Sequence, residues 1–222
     1  MKLWDWNYAL EILPLLARAS IVTIEVTLLA FVLAATLGLA LALMRLSRLR
    51  LAAYPATAFV EVVRSTPLLI QIFFLYFVLP EFGITLGPLT VGVIALGVHY
   101  ATYCAEVYRA GLENVPRGQW EATVALNMDT FHTLRDVIIP QAIPPVVPAL
   151  GNYFVALFKE TPLLSAIAVL ELMQQAKDIG SETFRYVEPI TLVGGFFLLF
   201  SLIAAALVRL LERRLSRIGA RA

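Results

Sequence analysis

The sequence predicts an all-α membrane protein, a single domain over residues 1–222. Five transmembrane helices are expected, with the N-terminus outside and the C-terminus cytoplasmic. A cytoplasmic helix–turn–helix and a re-entrant segment complete the prediction. Three observations carry it. Of 222 residues, 60% are hydrophobic and the mean hydropathy is +0.82, well above soluble globular chains. Several apolar runs reach about 20 residues, the length that crosses a bilayer. Arginines gather in alternate connections, as the positive-inside rule requires of cytoplasmic loops. The net charge of +1 implies no nucleic-acid partner, and the one cysteine, Cys104, excludes an internal disulfide and disfavours a metal cluster.

Residues 1–18 carry Asp5, Glu11 and Pro14 before any apolar run, so they do not read as a cleavable signal peptide. They read as a short amphipathic arm with Trp4, Trp6 and Tyr8 at a membrane interface. The first span, about 21–44, ends at Arg45, Arg48 and Arg50. The apolar core at 67–79 is too short to cross alone at about 1.5 Å per residue. It must extend back through 56–63, which takes Glu61 and Arg64 into or near the membrane. Loop 80–88 has no Lys or Arg, and the third span, about 86–105, exits at Arg109.

The most polar stretch inside the apolar part follows. Asn114 and Pro116 suit a helix start and Asn127 suits a left-handed turn. Asp129 or Thr130 caps a second helix over about 131–138, and Pro140 opens the fourth span, about 139–158. Pro140, Pro144, Pro145 and Pro148 crowd the start of that span and tend to bend it. Lys159-Glu160-Thr161-Pro162 then interrupts it before a run of ten residues, 163–172, too short to cross as a helix. Such breaks are tolerated where protein buries them or where they line a watery cavity, and transporters build sites from them. A plain amphipathic helix outside the membrane is the alternative. The last span is about 189–211, followed by Arg213, Arg214, Arg217 and Arg221.

Ionisable and polar groups at membrane depth mark candidate functions. Glu61 and Arg64 lie three apart and can pair with each other, as can Glu106 and Arg109. Gln71, His99, Tyr103, Lys159, Glu160 and Thr161 complete the candidate solute pathway. His99 and Cys104 supply too few ligands for a metal, and no third group orients them as a nucleophile pair. No catalytic residue and no cofactor is expected.

The stretch 121–140, EATVALNMDTFHTLRDVIIP, resembles the EAA loop of bacterial ABC importer permeases. That motif starts Glu-Ala-Ala, has a glycine four residues after the second Ala, and closes on Ile-x-Leu-Pro. Here Glu121, Ala122 and Thr123 stand at the start, Asn127 at the glycine position, and Val137, Ile139 and Pro140 at the end. Arg64-Ser65-Thr66-Pro67-Leu68-Leu69, Glu106-Val107-Tyr108-Arg109-Ala110-Gly111 and Lys159-Glu160-Thr161-Pro162-Leu163-Leu164 are similar to the polar amino acid branch. His99-Tyr100 through Trp120, with Gly180-Ser181-Glu182-Thr183-Phe184-Arg185-Tyr186, is similar to ectoine and hydroxyectoine permeases.

The resemblance implies an inner-membrane permease that imports a polar amino acid or compatible solute. Gly118, Glu121, Ala122, Ala125, Asn127 and Pro140 would form its coupling loop. Its partners would be an ATP-binding cassette ATPase dimer, a second permease subunit (identical or homologous), an extracytoplasmic substrate-binding protein and membrane lipid. The chain has no GxxxxGK[ST] phosphate loop, so the ATPase must be a separate subunit. A channel with a regulated loop and a membrane enzyme using His99 or Cys104 are the competing classes.

Overall fold

The longest element comes first: α1, Trp6–Leu46, is one helix of 41 residues, about 60 Å long. The computed structural model describes residues 4–219, and Arg221 lies outside the described residues. Asp5 caps α1, accepting from Asn7 N at 2.9 Å and Tyr8 N at 3.4 Å. The arm expected to precede the first span is therefore continuous with it, although Pro14 lies inside. A proline costs one backbone hydrogen bond there. Packing keeps the helix continuous through it: Ile12 and Leu16 are buried against Leu172, Ala176, Ile179 and Val193.

Val26, Ala30, Ala34, Gly38 and Ala42 recur every fourth residue, forming one small-residue stripe on α1. Against it lies α4, Pro88–Glu113. A Cβ on Gly38 would stand 2.6 Å from Cys104 Cβ and 2.8 Å from the Ala101 carbonyl oxygen. Only glycine permits that approach, and close backbone packing is what holds helices together where lipid removes the hydrophobic drive. The central core is built around this pair, with Leu68, Ile72, Leu157, Leu164 and Ile167 filling it from other elements.

The expected second span is not one helix. It is α2, Arg50–Ser65, then α3, Leu68–Phe73, which continues through a π turn at Phe74–Val78 and a 3-10 turn at Leu79–Phe82. The two arms are bent by 104°. The break falls on Thr66-Pro67 because the residue before proline is driven out of the helical region; Thr66 has ψ 131°. Among the described residues four helices are long and apolar enough to cross a membrane, and the bent pair makes a fifth if counted as one span.

After α4 come α5, Arg117–Ala125, and α6, Thr130–His132, which runs through a π turn at Thr133–Ile138 into α7, Ile139–Glu160. Pro144, Pro145 and Pro148 lie inside α7 without ending it. Thr161–Ile167 is 3-10 helix rather than an α-helical run, and it stops at Ala168 with φ +56°. Then follow α8, Leu172–Thr183, capped by Glu171, and α9, Val187–Gly219. The α8–α9 turn clamps the start of α1. Asp5 N donates to Glu188 Oε1 at 3.1 Å, and Arg185 pairs with Glu188 and with Asp5 at 3.8 Å. The Arg185 guanidinium lies 4.4 Å over the Tyr8 ring, whose hydroxyl is 2.8 Å from Thr183 Oγ1.

Candidate functional site

The polar stretch forms as its residue types dictate. Helix α5 ends in a Schellman motif: Met128 N donates to Thr123 O at 3.0 Å and Asn127 N to Val124 O at 2.9 Å. Asn127 sits at the left-handed position, φ 54°. Asparagine tolerates it where most side chains are strained. Asp129 caps the next turn, accepting from His132 N at 2.8 Å. That backbone N–H, followed by the His132 ring, holds the Asp129 carboxyl below its usual range. Val115, Ile138 and Ala142, with Leu112, Leu134 and Val137, form a small apolar core that roots the hairpin on α4 and α7. Glu121, Ala122, Ala125, Asn127 and Pro140 are exposed, and Gly118 has open space around it. Beside them Val124 is 77% exposed, Leu126 74% and Phe131 64%. An apolar rim of this kind around small and acidic residues suits a partner surface.

The second site centres on α4, where α1, α2 and α7 pack against it. Glu106 is its hub. Its carboxylate accepts from Arg45 at 2.6 Å, from Arg109 at 2.8 and 3.1 Å, and from Arg64 at 3.4 Å. Arg109 also bonds Glu113 at 2.6 Å. The expected Glu106–Arg109 pair is present, whereas Arg64 reaches across to Glu106 rather than back to Glu61. The reason is the α2 terminus. Arg64 stands in the last turn of α2, beside the break, where its side chain reaches α4, while Glu61 is exposed on α2.

Within this hub three guanidiniums meet two carboxylates, leaving one positive charge over. Arg64 is its loosest member, with the longest contact, and its side chain is 36% exposed. Its Cζ lies 5.2 Å from the Tyr103 ring centroid. From there a lane of rings continues: Tyr103 to Tyr153 at 5.5 Å, Tyr100 to Tyr103 at 5.9 Å and Tyr100 to Tyr153 at 6.2 Å. At its far end Tyr100 interacts electrostatically with Glu160, the last residue of α7. The lane thus has a spare cation at one end and a carboxylate at the other.

Other expected residues support it rather than line it. Gln71 Nε2 donates to the carbonyls of Val63 (2.8 Å) and Thr66 (2.9 Å), capping the broken end of α2, and lies 3.1 Å from His99 Nδ1. His99 is buried and packs on Tyr103 at 5.3 Å. Thr161 is fully buried and donates to Phe158 O at 2.9 Å. Lys159 is exposed, away from the lane. Arg45, Tyr100 and Tyr153 were not singled out as pathway residues by sequence. The signal that could find the tyrosines is the four-residue recurrence of α7 brought opposite α4.

Apolar helices around a charged, tyrosine-lined lane are the architecture of a membrane component that handles a polar solute. The chain belongs to the family of binding-protein-dependent transport system inner membrane components, which matches residues 34–217. It is 43% identical to a probable amino-acid ABC transporter permease of Sinorhizobium fredii, over 97% of this chain and 96% of that one. To the glutamine transport system permease of Escherichia coli it is 31% identical, over 96% and 98%. Its fold superposes on the crystal structure of an amino acid ABC transporter with histidines at a TM-score of 0.90, with 37% identity, covering 95% of this chain and 99% of that one. These relatives are transport components rather than enzymes.

Proposed function

We propose that this chain is a permease subunit of an ATP-driven, binding-protein-dependent importer whose cargo is a zwitterionic amino acid or a compatible solute, ectoine or hydroxyectoine foremost. The observation that carries the reading is the tyrosine lane with Arg64 at one end and Glu160 at the other. Arg64 takes the cargo carboxylate, because it is the surplus cation of the Glu106 hub and a guanidinium binds a carboxylate bidentately. Glu160 and the tyrosine faces take the cationic end through charge and cation–π attraction. The names of the relatives support an amino-acid cargo, and the resemblance of His99–Trp120 and Gly180–Tyr186 supports ectoine.

In this reading the N-terminus is outside and the C-terminus cytoplasmic. A second permease, the same chain or a homologue, faces the lane and completes it. The hairpin 117–140 seats Glu121, Ala122, Ala125 and Asn127 against one subunit of an ATPase dimer. An extracytoplasmic binding protein delivers the cargo. Closure of the ATPases moves the hairpin, and the hairpin moves α4 and α7, into which it is directly rooted.

The test is uptake of radiolabelled ectoine into cells holding the complete system, competed by arginine, glutamine and histidine. Arg64→Ala and Glu160→Gln should each lower uptake at least about tenfold, since each removes one charged contact of about 1.5–3 kcal/mol. Ectoine uptake that persists undiminished in both variants refutes the lane as the cargo site. Competition by an amino acid with no ectoine uptake assigns the cargo to that amino acid.

A further inference from the structure

A second cavity, of about 450 Å³, opens between α4 and α7 below the tyrosine lane. Val107, Ala110, Gly111 and Asn114 line it from α4, and Pro145 and Ala149 from α7. These are the same helix faces that bear the tyrosines. On α4 positions 103, 107, 111 and 114 follow one another at three- and four-residue steps, with 110 three residues beyond 107. On α7 positions 153, 149 and 145 do the same. Tyr103 to Ala110 is about 10 Å along the axis, about the length of one amino acid. The cavity exists because the helices are pinched beside it. A Cβ on Gly111 would stand 2.2 Å from Val146 Cγ2, so glycine lets α7 close in there while small Ala110 and Ala149 leave the space next to it empty.

The chemistry of the lining is one-sided. Glu113 borders the cavity; its Oε2 holds Arg109, and Oε1 is left for another donor. Asn114 adds an amide that can accept, and the C-terminal turn of α4 presents the partially negative end of a 26-residue helix. Among the described residues no Lys or Arg belongs to the lining, and Arg109 reaches it only through Glu113. The lane above ends in Arg64, which suits a carboxylate; the cavity suits the opposite end of the same molecule.

Resting on the importer reading above, we infer that this cavity is an exit station that holds the ammonium, guanidinium or amidinium end of departing cargo before it reaches the cytoplasm. Glu113 and Asn114 recognise the cation, and the small floor of Ala110, Gly111 and Ala149 admits the carbon chain. The station lies at the root of the hairpin: Asn114 leads directly into α5, and Pro145 stands on the first turns of α7. Cargo bound there favours whichever arrangement of α4 and α7 keeps the cavity open. Cargo accumulated inside then holds the chain in that arrangement and slows its return for the next import cycle.

The occupancy test uses Asn114→Cys in the permease–ATPase complex, whose native Cys104 is fully buried. A maleimide should label this cysteine, and arginine, glutamine or ectoine at millimolar concentration should slow the labelling. N-acetylglutamine, which lacks the ammonium, should not. An unreactive cysteine, meaning that a second copy covers the cleft, overturns the inference, as does labelling that no probe slows or that N-acetylglutamine slows equally. These outcomes do not depend on transport, so they separate from failure of the importer reading, which Arg64→Ala uptake decides. In proteoliposomes, preloading the imported compound should slow initial uptake about fivefold or more. Ala149→Leu, which fills the cavity, should lose that slowing when each preloaded rate is compared with the same variant's rate into empty vesicles. Slowing that survives Ala149→Leu, or its absence in the wild type, refutes the station.

Discussion

Replacing Glu106 by Gln tests whether the arginine hub is a structural brace. The carboxylate is the common acceptor for Arg45, Arg64 and Arg109. Arg45 is the exposed nerve of the design, because its side chain is only 11% accessible and its ion pair is with Glu106. Removing one partner of a buried ion pair costs about 3–5 kcal/mol. Glu106 is itself 23% accessible, so water replaces part of the loss and about 2–3 kcal/mol remains. At about 2–4 °C per kcal/mol for a chain of this size, the melting temperature of the purified complex should fall by about 4–12 °C. Thermal unfolding followed by size-exclusion fluorescence reads this directly. Adding Arg45→Met to Glu106→Gln removes the stranded charge and should recover part of the loss, a coupling that a double-mutant cycle isolates. A fall under about 1 °C, or a double variant no more stable than Glu106→Gln alone, would refute the brace.

Other expectations are equally direct. Asn127→Gly should leave ATPase co-purification unchanged, because glycine accepts φ 54°, whereas Asn127→Val should loosen the turn by about 1–2 kcal/mol and speed amide exchange over 123–133. Glu121→Arg should abolish ATPase co-purification while leaving the melting temperature of the permease within about 2 °C, since the side chain is exposed. Glu171, between α7 and α9, is buried, and that burial pushes its carboxyl up to about 7 despite bonds from Met173 and Gln174. A carboxyl raised in the folded state adds stability that is present below its ordinary value near 4.5 and lost as pH rises through about 7. The complex should therefore melt higher near about pH 5 than near about pH 8, and Glu171→Gln should flatten the difference. A wild type that melts alike at both would show that Glu171 ionises freely in the fold.

Much of this was legible because the local rules are strong. Asn127, Asp129 and Pro140 each fix their own backbone, so the hairpin 117–140 is readable from turn and cap chemistry alone. Long apolar runs likewise announce α4, α7 and α9. What the sequence hides is what depends on two distant segments at once. Arg64 has an acid one turn away in Glu61 and a better one in Glu106, and only the crossing of α2 over α4 chooses between them. Tyr153 is an unremarked aromatic in a proline-rich helix until α7 lies opposite Tyr100 and Tyr103. The bend at Thr66-Pro67 was readable in principle, since the residue before proline resists the helix. Hydropathy averages over such a break and reports one span. The N-terminal arm shows the converse: Pro14 lies inside α1, and tertiary contacts from Ile12 and Leu16 keep arm and first span one helix.

The clamp on Asp5 has a consequence for how the chain is made. Asp5 meets Glu188 across 183 residues of sequence, so this contact can close only after α8 and the start of α9 have been made. Until α4 is synthesised, the stripe of Val26, Ala30, Ala34, Gly38 and Ala42 can face lipid at little cost, because it is apolar and shallow. The α1–α4 pair can then zip as a unit inside the bilayer. Ion pairing among Asp5, Arg185 and Glu188 follows only when α8 and α9 have arrived. That clasp therefore ties the start of α1 to the α8–α9 turn and can close only once both are folded.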